Sequence, residues 1–203
     1  KDSVEVEGYV RGFARRRADV EISMLRLASI VGPGIRTSLT DYFRLPVVPT
    51  PLGFDARLQL VHENDALQGL LLATIGASVG IVNVAGDGII TVAQAARLSG
   101  RVSVPVPLSA GGVLGRFVKS AGLADFSQDQ MKYLAWGRGM DTTRMREVLG
   151  LEPVFTTRTA FEDFTSHSRS GLPGSAAIGA AVNGLAGSVA NVLTHVLASG
   201  RKA

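Results

Sequence analysis

From Glu21 to Gly34 the chain reads EISMLRLASIVGPG, with Ile22, Met24, Leu25, Leu27, Ile30 and Val31 falling on both faces of an extended backbone. A strand without polar alternation is one buried on both faces, which is the habit of parallel sheets. The pattern predicts an α/β fold in which this strand runs parallel to a neighbour and closes on the Gly32-Pro33-Gly34 turn. Ligands of such sheets bind beyond the carboxyl ends of the strands, so residues 29–37 are the first place to expect a site. Upstream, Val6, Tyr9, Val10 and Phe13 at helical spacing predict a surface helix over residues 3–17. It ends in Arg15, Arg16 and Arg17, whose charge suits the negative end of a helix dipole.

Downstream the pattern predicts a short helix over 39–43, a proline-punctuated extended piece over 45–50 and a strand over 57–62. Asp65 reads as the N-cap of a helix carrying Leu67, Leu70, Leu71 and Ile75. A strand over 80–85, turned by Gly86-Asp87-Gly88, leads to a helix over 92–98. Val102 to Leu108 contains Pro105 and Pro107 and is an edge or irregular strand. The following Ala110 to Gly115 loosely matches a dinucleotide fingerprint. The prolines break the strand that motif needs, and Asp129 and Asp141 sit badly for holding a ribose, so it is read as a decoy. Ser127 to Gln130 is a capping box opening a helix with Met131, Leu134 and Trp136. Asp141 caps a helix over 142–149, and a last globular helix starting at Thr157 or Thr159 holds Phe161 and Phe164.

Residues 169–203 stand apart from the globular part, residues 1–168. From Ser170 to Gly200 no charged residue occurs, and Ile178, Val182, Leu185, Val189, Val192 and Val196 fall near one helical stripe. Gly, Ser and Asn dilute that stripe too far for a membrane span. The expectation is a small-residue helix over 175–199 that packs on a partner chain, as in a homo-oligomer, or rests weakly on a membrane surface.

With 203 residues, 46% of them hydrophobic, the chain can bury a real core. It has no cysteine, which removes disulfides, thiolate metal sites and cysteine nucleophiles and fits a reducing, cytoplasmic compartment. His62, His167 and His195 lie far apart without ligand spacing, so no metal site is expected. The net charge of +4 is spread along the chain without interleaved aromatics, which argues against nucleic acid as a partner. No initiator Met and no apolar signal core is present at Lys1, so the sequence reads as a fragment or a processed product.

The polar run Arg57-Leu58-Gln59-Leu60-Val61-His62-Glu63-Asn64-Asp65 carries the clearest chemistry. On a strand Arg57 and Gln59 share one face, and a guanidinium with an amide suits phosphate oxygens or sugar hydroxyls. Arg57 reads equally as a solvated or ion-paired surface residue, and His62 as a core histidine hydrogen-bonded to backbone or as a substrate contact.

LRLASIVGPG, RLQLVHENDALQGLLLA, GIVNVAGDGIITVAQAA and MDTTRMREVLGLEPVFTTRTAFEDF occur here in one order and spacing. Over about residues 5–165 that series resembles the carboxyl-terminal half of extended short-chain dehydrogenase/reductases, the NAD-dependent epimerase/dehydratase family. The resemblance implies a partial Rossmann-type parallel sheet with the small substrate-binding lobe of that family. It implies NAD or NADP as cofactor in the complete enzyme, a nucleotide-sugar or similar small molecule as substrate, and hydride transfer as the chemistry. Leu27 and Ser29 are then candidates for the cofactor side of the pocket, and Ser29, Arg36, Arg57, Gln59 and His62 for the substrate side. Ser29 stands where the family usually has Asn. The family's Gly-x-x-Gly-x-x-Gly loop and Tyr-x-x-x-Lys pair do not occur in this sequence. With Glu7 aligned to the family's acidic residue, Ser3 takes the place of the lysine, so no catalytic residue is assigned. The alternative is a non-catalytic, degenerate reductase fold that binds a nucleotide or assembles with protein.

Overall fold

The structure, a computed structural model, describes residues 2–106 and 133–168 together with Asn183, Gly184 and Gly187. The Ala110 to Gly115 loop, the Ser127 to Gln130 capping box, His195 and the expected 175–199 helix as a unit lie outside the described residues. Helix α1 (Asp2–Arg16) leads into β1 (Met24–Leu27) and β2 (Ser29–Val31), followed by α2 (Ser38–Arg44) and β3 (Val47–Pro51). Then come β4 (Arg57–Leu58), β5 (Leu60–His62), α3 (Glu63–Ile75), β6 (Ile81–Val84), β7 (Ile90–Thr91), α4 (Val92–Leu98) and β8 (Val102–Val106). A helical turn at 133–136, α5 (Thr143–Glu147) and α6 (Thr157–Ser168) complete the described chain. No helix among the described residues is long and apolar enough to cross a membrane.

The fold is α/β, and the long apolar run forms parallel strands as its pattern predicts. It does so in two pieces, β1 against β6 and β2 against β5. The Ala28 N–H donates to Val84 O at 2.8 Å, and beyond that point β5 replaces β6 as neighbour. A bond from Gly86 N–H to Leu60 O, 2.7 Å, stitches β5 to the chain leaving β6. Burial on both faces does not hold for β1: Arg26 is exposed and Met24, Leu25 and Leu27 are half-buried, while Ala28 and Val31 are buried. The reason is that β6 is its one strand partner among the described residues, and Arg26 turns outward to the Glu7 carboxylate of α1. β8 pairs only with β3 among the described residues, and Pro105 lies opposite Thr50, in keeping with an edge strand.

Alternation along β5 divides the interior in two. Leu60 enters a cluster with Tyr42, Phe43, Leu58, Phe161 and Phe164, and Val61 enters another with Val82, Val84, Met145 and Leu151. Phe43 meets Phe161 edge-on at 5.0 Å, a geometry that adds to the gain from area burial alone. The Tyr42 hydroxyl donates to Pro49 O at 2.5 Å, tying α2 to β3, and burial pushes its pKa well above the usual value.

Helix α3 starts two residues before the predicted cap. His62 caps it, its Nδ1 accepting from the Asn64 N–H at 3.2 Å. Asp65 is buried inside the first turn, and its two oxygens accept the Val154 and Phe155 N–H groups, each at 3.0 Å. A carboxylate near a helix start looks like a cap in sequence, but the partners of this one lie about ninety residues downstream. Asp141 does hold the start of α5, accepting from the Thr143 N–H at 2.9 Å and its hydroxyl at 2.6 Å.

Asp65→Ala removes both acceptors and leaves two half-buried N–H groups unpaired. The expected loss of stability is about 2–4 kcal/mol by denaturant titration. Asp65→Asn keeps one acceptor and should lose less; equal stability of all three proteins would show that the tie carries no weight.

Candidate functional site

A cavity of about 460 Å³ opens where β1 passes into β2, with Leu27, Ala28 and Ser29 on one wall, Gln59 and Asn83 at its base, and residues 138–141 with Tyr133 on the other wall. Arg26 and Arg138 bring positive charge to it. The position is the one a parallel sheet favours, at the carboxyl end of a strand.

The segment 137–141 is held in place by backbone as much as by side chains. The Arg138 N–H donates to Arg57 O at 3.0 Å, making a parallel bridge between Leu58 and Arg138. Gly137 has φ +68°, and a Cβ there would run into the Arg57 carbonyl oxygen and lie 2.6 Å from its nitrogen, so only glycine permits the approach. The Gln59 amide then bridges outward, Oε1 accepting from the Met140 N–H at 2.7 Å and Nε2 donating to Gly86 O at 3.1 Å. Asn83 Nδ2 donates to Asp141 O at 2.9 Å. Together these bonds draw the wall against the strand ends.

The two arginines differ in their engagements. Arg26 is bound through Nε and Nη2 to Glu7, which also accepts from Arg11. The Arg26 guanidinium, more than Arg11, holds the Glu7 carboxyl below its usual range, and Arg26 is raised in turn. Arg138 lies 5.9 Å from the centre of the Tyr133 ring and has no carboxylate partner among the described residues. Across the cavity the Ser29 hydroxyl donates weakly to the Tyr133 hydroxyl, 3.4 Å away. Among the described residues the Arg138 guanidinium has no carboxylate at ion-pair distance, although Asp141 also lines the cavity. Beside hydroxyls and an amide it is a donor set that suits an anion with hydroxyl groups attached.

Of the residues singled out in the sequence, Leu27, Ser29 and Gln59 line this cavity. Arg36, Arg57 and His62 do not. The Arg36 side chain is 80% exposed and 3.9 Å from Asp41. Arg57 is exposed, and its carbonyl, not its guanidinium, meets the cavity wall. His62 is 2% exposed, stacked on Phe155 at 3.7 Å, with Nε2 3.1 Å from Asp163. Because Nδ1 accepts from Asn64, the neutral ring carries its proton on Nε2 and donates to Asp163. Of the two sequence readings, the structure places His62 in the hydrogen-bonded core. The Gly-Pro-Gly turn is also filled from within. A Cβ at Gly32 would lie 2.5 Å from Glu63 Cδ, and the Gly34 N–H donates to Glu63 at 3.4 Å. The cavity therefore starts before that turn, at Leu27 to Ser29.

Sequence reasoning passed over Arg138, Tyr133, Asn83 and Arg26. Only Arg138 had a signal of its own: an arginine between Gly137 and Gly139, where close backbone approach and a donor side chain coincide.

No protein-family model matches the chain. Uncharacterized proteins of Mycobacterium bovis and Mycobacterium tuberculosis are 45% identical over 164 residues, which is 81% of this chain and 44% of theirs. Among solved structures, UDP-glucose 4-epimerase of Thermotoga maritima with UDP-glucose aligns at a TM-score of 0.58 and 19% identity, over 84% of this chain and 52% of that one. UDP-glucuronic acid 4-epimerase of Bacillus cereus, in complex with UDP-glucuronic acid and NAD, aligns at 0.55 and 11% identity, over 80% and 49%. The chain resembles sugar-nucleotide epimerases and has their fold, and it spans about half the length of the proteins it matches.

Glu7 gives a pH-dependent test of the α1–β1 contact beside the cavity. Its folded pKa lies below the usual 4.5, so its stabilisation is present above that value and is lost as pH falls through the lower folded one. The thermal midpoint of Glu7→Gln should lie below wild type at pH 7, and the gap should close toward pH 3. A gap that stayed constant across this range would refute the ion pair.

Proposed function

We propose that this chain is the substrate-gripping half of an NAD(P)-dependent enzyme acting on a nucleotide-sugar, an isomerase or oxidoreductase of epimerase or dehydratase type. The observation that carries the reading is Arg138, a guanidinium without a carboxylate partner among the described residues, set in a cavity with Ser29, Asn83 and Tyr133. Arg138 binds the diphosphate by charge-assisted bonds, and the Ser29 and Tyr133 hydroxyls orient the sugar by exchanging hydrogen bonds with its hydroxyl groups. Gln59 and Asn83 keep the wall closed from behind. The cysteine-free composition supports a cytoplasmic setting, and the charge-free residues 175–199 remain the segment we assign to self-association.

The wall at Leu27 and Ser29, half-buried apolar carbon beside a hydroxyl, fits the nicotinamide end of NAD(P). When bound, the cofactor supplies a hydride acceptor and donor. Among the described residues no strand runs into a glycine-rich loop and helix N-terminus of the kind that cradles its pyrophosphate. The isolated chain should accordingly bind NAD no better than about millimolar. A second reading, a degenerate fold that binds nucleotide without turnover, is favoured by Ser3 standing where the resemblance places the family's lysine.

The test is calorimetric titration of the full-length protein with UDP-glucose. Arg138→Ala should weaken binding by about 2 kcal/mol, roughly thirtyfold, without lowering the thermal midpoint. Arg57→Ala, at an exposed position outside the cavity lining, should bind as wild type does. The reverse ranking would move the diphosphate to Arg57. Conversion of UDP-glucose by the full-length enzyme with NAD separates the catalytic reading from the degenerate one.

A further inference from the structure

Gln59 lies between Leu58 and Leu60, both fully buried, so the core fixes where its side chain starts. One end of its amide is anchored on Gly86, itself wedged in place: a Cβ there would lie 2.8 Å from Phe155 O and 3.0 Å from Leu60 O. The other end holds the Met140 N–H, two residues past Arg138. Arg138 is flanked by Gly137 and Gly139, the residues with the most backbone freedom. The direction of its side chain is therefore set by the tethers on either side, the Arg57 carbonyl at position 138 and the Gln59 amide at position 140.

We propose that Gln59 is a positioning residue: bonded at both ends of its amide to backbone, it holds the glycine-flanked Arg138 in the orientation that binds the anion. This revises the expectation that Gln59 touches substrate, and it rests on the reading of Arg138 as the diphosphate contact. A direct contact and a positioning role predict different behaviour when Arg138 is absent. If Gln59 acts through Arg138, its removal costs nothing further once Arg138 is gone.

The experiment is a double-mutant cycle in the full-length protein, with UDP as the probe and affinity read by calorimetry. Gln59→Leu should weaken UDP binding about tenfold in the wild-type background and less than twofold in Arg138→Ala. Hydrogen exchange at the Met140 amide should quicken in Gln59→Leu without ligand, showing that the tether itself is lost. Gln59→Glu keeps an acceptor for the Met140 N–H but sets an oxygen against the Gly86 carbonyl and adds negative charge beside the anion, so its readout is hydrogen exchange alone. The Met140 amide should stay better protected in it than in Gln59→Leu; equal exchange in the two would overturn the tether. An equal loss from Gln59→Leu in both backgrounds would overturn the inference and make Gln59 a direct contact, leaving the diphosphate reading intact. Unchanged affinity in Gln59→Leu would overturn it as well. Failure of wild type to bind UDP would overturn the diphosphate reading and this inference together.

Discussion

Residues 57–65 carry several of the ties that join distant parts of the chain. Leu60 and Val61 send consecutive side chains into opposite hydrophobic clusters, so this short strand cannot shift without opening both. From that fixed line the Arg57 carbonyl and the Gln59 amide hold 138–140, and the Leu60 N–H donates to the buried Thr157 hydroxyl at 3.2 Å. His62 reaches Asp163 of α6, and Asp65 takes the Val154 and Phe155 amides. Most of these partners are downstream of residue 133, so this segment fastens the late part of the chain onto the early part.

That arrangement explains what the sequence disclosed and what it hid. Apolar periodicity reports burial, and it located the strands at 24–31, 60–62 and 81–84 and the helix with Phe161 and Phe164 correctly. Asp65 and Gln59 show why polar roles were harder to read. Each is a polar residue in a setting where local patterns suggest a cap or a ligand contact, yet each satisfies backbone groups that arrive from residues 140–155. Long-range pairing of that kind leaves no periodic trace. Arg57 and Arg138 make the same point: they meet through backbone, and Arg138, not Arg57, lines the cavity.

The cavity is built from the ends of strands, as parallel sheets favour, but Arg138 reaches it from the loop Gly137-Arg138-Gly139-Met140-Asp141. Rigid strands supply precision, and the loop supplies the donor. On the outer side of β1, Arg26 is bound to the Glu7 carboxylate of α1. Leu27, Ser29, Tyr133 and Arg138 line this cavity together.

The most direct measurement is a crystal structure of the full-length protein with UDP bound. The account predicts phosphate oxygens within hydrogen-bond distance of the Arg138 guanidinium, with the Gln59 amide still bridging Gly86 and Met140 behind it. A nucleotide bound elsewhere, with Arg138 turned to solvent or the Met140 amide released from Gln59, would contradict it.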